Sequence, residues 1–232
     1  MSPSPRHLSF HFEGFDEACL SFGEVGALRS ILIVPPLFDE MNRVRAMLVA
    51  AMHGLAERSV MTMLPDLPGC NESLAPVSSQ SVQSWQGAML SAAHQLGATH
   101  IASIRGGSLI ATQIRLPHWS LASVKGASLV KTMLRTRIAS DKEAGRTSSI
   151  ETLMSEARTG PIDLAGYALG PDMLAGLEAA VPGEAAVDVT LGDEPGQLSG
   201  RPLWLRAEPQ EDADMSAALA AELDRWSASC GG

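Results

Sequence analysis

Residues 99–112 read THIASIRGGSLIAT, and the chemistry they invite is that of a sharp turn from strand to helix. A β-branched apolar run ends at one residue with small neighbours, and a glycine pair follows. In a nucleophile elbow the residue at the point of such a turn attacks a carbonyl. The positions two before and two after it stay small because strand and helix pass close together there. Ser103 and Gly107 hold those small positions, and Gly106 stands where its backbone N–H would help bind an oxyanion. The point itself is Arg105, permanently charged and no nucleophile.

The remainder of a Ser-His-acid relay is incomplete as well. Glu208, Glu211, Asp212 and Asp214 lie where an acid would follow a late strand, with Asp212 as the candidate. None of the six histidines lies beyond His118, although the relay needs an imidazole to take the hydroxyl proton. Two replacement nucleophiles are in reach of the turn by sequence: Ser108, just after the elbow, and Cys70 in PDLPGCNES. Each has a plainer reading. A serine in a first turn satisfies backbone donors, and Cys70 has no histidine beside it in the chain.

Arg105 itself suits recognition of an anion, because it sits beside a helix N-terminus whose free N–H groups already favour negative charge. The competing reading is an internal salt bridge to Glu40, Asp39 or Asp66, all at neighbouring strand ends. Glu40 and Asn42 are expected as walls of a pocket, with Gly106 and Asp66 as further ligand-binding candidates, while Asp39 or Asn42 serves equally as a helix cap. No metal and no cofactor is assigned. Cys19, Cys70 and Cys230 are widely spaced without metal-ligand spacing, and IRGGS lacks a nucleotide-binding glycine pattern.

The elements that must position these residues alternate along the chain. The stretch 8–23 alternates apolar and polar residues around EGFDE, as an edge β-hairpin does. SILIVPP (30–36) is a continuous apolar strand of the kind buried on both faces. Val44, Met47, Leu48, Ala51 and Leu55 form one helical stripe within 39–58. A strand begins at Val60, a helix spans 81–97 and ends at Gly97, THIASI is a strand, and a helix is expected from Gly106. Trp85 and Met89 on the 81–97 helix read as core. Strands are further expected at 121–130, 185–191 and 201–207, and a closing helix at 215–226. Repeated strand-helix units predict an open, doubly wound, mostly parallel sheet in one domain over 1–232, with ligands at the carboxyl ends of its strands. A small helical, cap-like insertion over that edge is expected at about 131–180.

Composition limits the function. With 45% hydrophobic and 19% charged residues the chain must form a core, and a net charge of −9 argues against tracking nucleic-acid phosphates. No run approaches the apolar length that spans a bilayer, and the start shows no secretory pattern, so a cytoplasmic setting is expected.

Five stretches together carry a resemblance: VPPLFDEMNRVRAM (34–47), DLPGCNES (66–73) with Trp85 after it, IRGG (104–107), LVKTMLRTR (129–137) and GPIDLAGYALGPDMLAGL (160–177). Over about residues 20–226 the chain resembles the exosortase A system-associated hydrolases of the second type. The resemblance implies an α/β-hydrolase fold and a bacterial cytoplasmic setting beside exosortase and exopolysaccharide genes. Three functional expectations follow. The first is a pseudoenzyme that has lost Ser-His-acid catalysis and binds a small anionic molecule or a partner protein. The second is an ester or acyl hydrolase that uses Ser108 or Cys70. The third is a structural interaction subunit, such as a homodimer joined at an exposed sheet edge.

Overall fold

A computed structural model describes residues 4–230. The chain opens with an antiparallel hairpin, β1 (Arg6–Phe12) and β2 (Phe15–Phe22), at the edge of the sheet. Then come β3 (Ser30–Val34), α1 (Asp39–Ala56), β4 (Met61–Pro65), α2 (Val82–Gln95) and β5 (His100–Ile104). They are followed by β6 (His118–Leu121), α3 (Gly126–Glu143), α4 (Ile150–Glu156), β7 (Ile162–Leu164), β8 (Tyr167–Leu169) and α5 (Pro171–Ala179). The short β9 (Val187–Val189) and α6 (Ala213–Ser229) complete the described elements.

Seven strands form one sheet in the order β1-β2-β4-β3-β5-β6-β9. β2 is antiparallel to β1 and β4, and every pairing from β4 onward is parallel. Every residue of β3, β4 and β5 is buried, which is why these strands read as mostly apolar runs without alternation. The pleat divides them between two half-cores. Ile31 and Ile33 pack with α1 and α6, and Leu32 and Val34 pack on the other side with Trp85 and Met89 of α2. The α1 stripe read from spacing is buried at all five positions. Residues 126–179 hold α3, α4, the separate two-stranded β7-β8 sheet and α5.

Four local expectations are corrected. After Ile104 the chain makes only a 3-10 turn, Arg105–Leu109, and stays irregular to the start of β6, where a helix was expected. Ile110, Thr112 and Ile114 are β-branched, and Pro117 closes the stretch. Leu109, Ile110 and Ala111 are all buried in succession, a pattern that no single helix face supplies. The strand expected at 121–130 is instead β6, which ends at Leu121. Ala122 takes a positive φ of 50°, and Leu129, Val130, Met133 and Leu134 then bury a helical stripe of α3. The expected strand at 201–207 is a 3-10 turn, Leu203–Leu205, after Pro202. Its consecutive Leu203 and Trp204 are buried while Leu205 is exposed, so strand alternation is absent. Finally, neither Asp39 nor Asn42 caps α1. The N-cap is Phe38, with no side-chain cap bond, and Asp39 in the first turn pairs with Arg43.

Gly107 fixes how closely the elbow approaches β3. A Cβ there would lie 2.4 Å from the Val34 carbonyl oxygen and 2.7 Å from that of Pro35, both backbone atoms that a side-chain rotation cannot relieve. Gly107→Ala is therefore expected to destabilise the protein by about 2 kcal/mol, read as a lower urea midpoint at unchanged slope.

Candidate functional site

The elbow has the backbone that the sequence pattern requires. Arg105 takes a left-handed φ of 55°, a conformation costing about 1–3 kcal/mol for a residue with a side chain. The restraints that hold it there are polar. Arg105 Nε and Nη2 donate to Glu40 Oε2 at 3.3 Å and Oε1 at 3.0 Å, and Nη1 donates to the Ala122 carbonyl at 3.0 Å. The guanidinium carbon lies 4.7 Å from the centre of the Trp204 ring, a cation–π contact. The internal salt bridge is thus made, and made to Glu40. Burial raises the Glu40 carboxyl above its ordinary range, while the hydrogen bond and charge of Arg105 pull against that rise.

A pocket of about 130 Å³ opens over this pair. Its floor carries Glu40, Arg105 and the neighbouring Asp39–Arg43 pair, its inner wall Leu37, Leu129 and Met133, and its mouth Ser128, Thr132 and Thr136 of α3. Trp204 closes one side, and its carbonyl accepts a 2.8 Å bond from Arg43.

Of the five ligand-binding candidates, Arg105 and Glu40 line the pocket and the others do not. Gly106 is buried, and a Cβ on it would meet the Leu37 and Leu129 side chains at 2.9 and 2.8 Å. Asn42 hydrogen-bonds with Tyr167 of β8. Asp66 accepts from Asn71 Nδ2 at 2.7 Å and has Arg45 at 3.9 Å.

The catalytic candidates are dispersed too. Ser108 is fully buried and its hydroxyl donates to the Arg105 carbonyl at 2.9 Å. Burial pushes the Cys70 thiol up to about 12, helped by the charges of Asp66 and Glu17, so the thiolate needed for attack is suppressed. Asp212 caps α6 through the Met215 amide at 2.9 Å, on a groove it shares with Asn42 and His53.

Sequence reasoning missed three contributors. Trp204 was read as a strand residue, and nothing local marks it as the partner of Arg105. Tyr167 packs edge-on to Phe38 with ring centres 5.3 Å apart, which fastens the β7-β8 hairpin to the start of α1. The third is a buried pair, Ser103 Oγ to His118 Nε2 at 2.7 Å, across adjacent strands. His118 also bonds to the Glu184 backbone, and burial lowers its pKa. With Ser103 wholly inaccessible, this pair joins β5 to β6 and meets no substrate.

No family model matches the chain, and no curated protein matches it significantly. Among solved structures, a protein of Agrobacterium vitis S4 provisionally assigned to the hydrolases superposes on 82% of this chain and 79% of its own. The TM-score is 0.53 and the identity 13%. The chain has an α/β-hydrolase fold. An epoxide hydrolase of Vigna radiata aligns with 50% of this chain and 39% of its own, at TM-score 0.41 and 16% identity. A protein of Thermoplasma acidophilum assigned as a CIB-like hydrolase aligns with 57% and 70%, at 0.42 and 11%. The chain spans about two fifths of the length of the epoxide hydrolases it matches. Among the described residues, no helix of this α/β-hydrolase-fold protein is long and apolar enough to cross a membrane.

Removing one partner of the elbow ion pair leaves the other charge buried. Glu40→Leu is expected to cost about 3 kcal/mol, and its combination with Arg105→Met to recover most of it, as read by urea unfolding in a double-mutant cycle.

A second polar cluster lies under the loop after β4. Glu17 is fully buried, one oxygen accepts from Ser73 at 3.0 Å, and Oε2 has no partner among the described residues. Burial raises its carboxyl above the ordinary 4.5, opposed by the Ser73 bond and reinforced by Asp66. Its folded value exceeds its unfolded one. The stability it contributes is therefore complete below pH 4.5 and lost as pH rises through the folded value. The melting temperature of Glu17→Gln relative to the parent should accordingly rise with pH across that window, and a pH-independent difference would remove the assignment.

Proposed function

We propose that this protein is a non-hydrolytic form of the α/β-hydrolase fold that binds a small polar-headed molecule in the pocket over Arg105. The observation that carries the reading is the guanidinium at the elbow. It stands where the fold's nucleophile would be, and Glu40, Ala122 and Trp204 hold it in place.

Three of the five N–H groups of Arg105 are used internally, which leaves donors for a carboxylate or carbonyl of the ligand. The anion expected from sequence is thereby narrowed, because Asp39 and Glu40 in the same lining offset the charge of Arg43 and Arg105. In this reading α3, α4, the β7-β8 hairpin and α5 act as the cap, for Ser128, Thr132, Met133 and Ala165 line the pocket from that side. A bacterial cytoplasmic role beside exosortase and exopolysaccharide synthesis, drawn from the resemblance, belongs to the same proposal.

Two measurements test it. p-Nitrophenyl acetate, butyrate and octanoate should show no turnover above the protein-free rate. Titration of 4-methylpentanoate and 4-methylpentanamide should shift backbone amide resonances around Leu37, Arg105 and Thr132, with affinity reduced at least about tenfold in Thr132→Trp, which fills the mouth from an exposed helix position. Ester turnover abolished by Ser108→Ala or Cys70→Ala would overturn the reading in favour of a working hydrolase.

A further inference from the structure

We infer that the pocket over Arg105 takes a zwitterion, a small molecule with an ammonium and a carboxylate close together, of the α-amino acid kind. This rests on the reading of the pocket as a binding site. The lining contains four charged side chains, and they alternate: Asp39 pairs with Arg43 at 2.6 Å, and Glu40 with Arg105 at 3.0 Å. A ligand with one net charge would meet a repelling neighbour beside every attracting one. A ligand with both charges can present each to its opposite.

Unused bonding capacity is divided in the same way. Arg43 directs Nη2 to Asp39 and Nη1 to the Trp204 carbonyl, and Arg105 uses three of its five N–H groups, so both keep donors for a carboxylate. Asp39 engages Arg43 through Oδ2, and its side chain is 31% exposed, which leaves the carboxylate able to accept from an ammonium as well. Asp39 and Arg43 are one helical turn apart on α1, which keeps this acceptor and donor adjacent, as the two groups of an α-amino acid are. An uncharged amide can make bonds of the same geometry, but charge-assisted ones are about twice as strong.

The rest of the pocket fits a short apolar side chain. Leu37, Leu129 and Met133 form an apolar wall, and the volume of about 130 Å³ is close to the ~150 Å³ cavity that accommodates a benzene-sized group. No bond is made or broken in this inference; it concerns recognition alone.

Calorimetric titration of the full chain with L-alanine, L-valine, L-leucine and L-methionine, alongside 4-methylpentanoate, 3-methylbutylamine and 4-methylpentanamide, decides it. L-Leucine is expected to bind at least about tenfold tighter than each of its three single-group analogues. Asp39→Asn is expected to weaken L-leucine at least fivefold while leaving 4-methylpentanoate unweakened. Should the acid or the amide bind as tightly as the best amino acid, the zwitterion inference falls and the small-ligand pocket stands. Should no compound bind, both fall. Equal loss of L-leucine and 4-methylpentanoate in Asp39→Asn, with the melting temperature unchanged, would also overturn the assignment of the ammonium to Asp39.

Discussion

The interaction on which the rest of the site depends is the two-point ion pair between Arg105 and Glu40. It joins the end of β5 to the first turn of α1, which follows β3, so it spans two neighbouring strands at their carboxyl edge. Buried ion pairs gain little over a well-packed apolar pair, because desolvation offsets most of the attraction. Their value here is geometric. A left-handed residue with a long side chain needs restraint, and the carboxylate, the Ala122 carbonyl and the Trp204 ring approach the guanidinium from three separate segments.

Much of the fold was legible because its central strands are covered on both faces. That environment selects mostly apolar residues, and SILIV and HIASI show it, with Ser30, His100 and Ser103 as buried polar exceptions. The elbow was legible for a different reason: Gly107 faces the carbonyl oxygens of Val34, which ends β3, and of Pro35 just after it, so steric exclusion leaves a mark in the sequence. The helix expected after it failed where periodicity was the sole guide, since an apolar stretch buried on every side resembles a helix until its β-branched residues and Pro117 are considered. The strand expected at 201–207 failed similarly, through reading apolar content without checking alternation.

The candidate site was legible as chemistry and less so as geometry. Glu40 was one of three carboxylates, with Asp39 and Asp66, offered as a partner for Arg105, because ion pairs need opposite charges at adjacent strand ends and both conditions can be read from residue type and element order; the choice among the three needed the structure. Trp204 could not be, since it reaches Arg105 from a distant irregular segment whose path depends on α6 packing against α1. Asn42 and Asp66 were placed near the pocket by their position after neighbouring strands, and Gly106 by its place in the elbow. The structure turns each to another partner: Tyr167 for Asn42, Asn71 for Asp66, and the Leu37 and Leu129 side chains for Gly106.

The close approach of Gly107 to Val34 has a kinetic side. These residues are neighbours only after β3 and β5 have paired, which closes a loop of about 70 residues at an entropic cost of about 4 kcal/mol. α1, β4 and α2 all lie within that loop, so the elbow and its pocket exist only once the central strands have paired. A partly folded chain contains the residues of the site but not the site. Any molecule that occupies the pocket then stabilises only the fully assembled form, and at a hundred times its dissociation constant would do so by about 2.7 kcal/mol. Ligand supply would in this way set how much of the protein survives as well as how much is occupied.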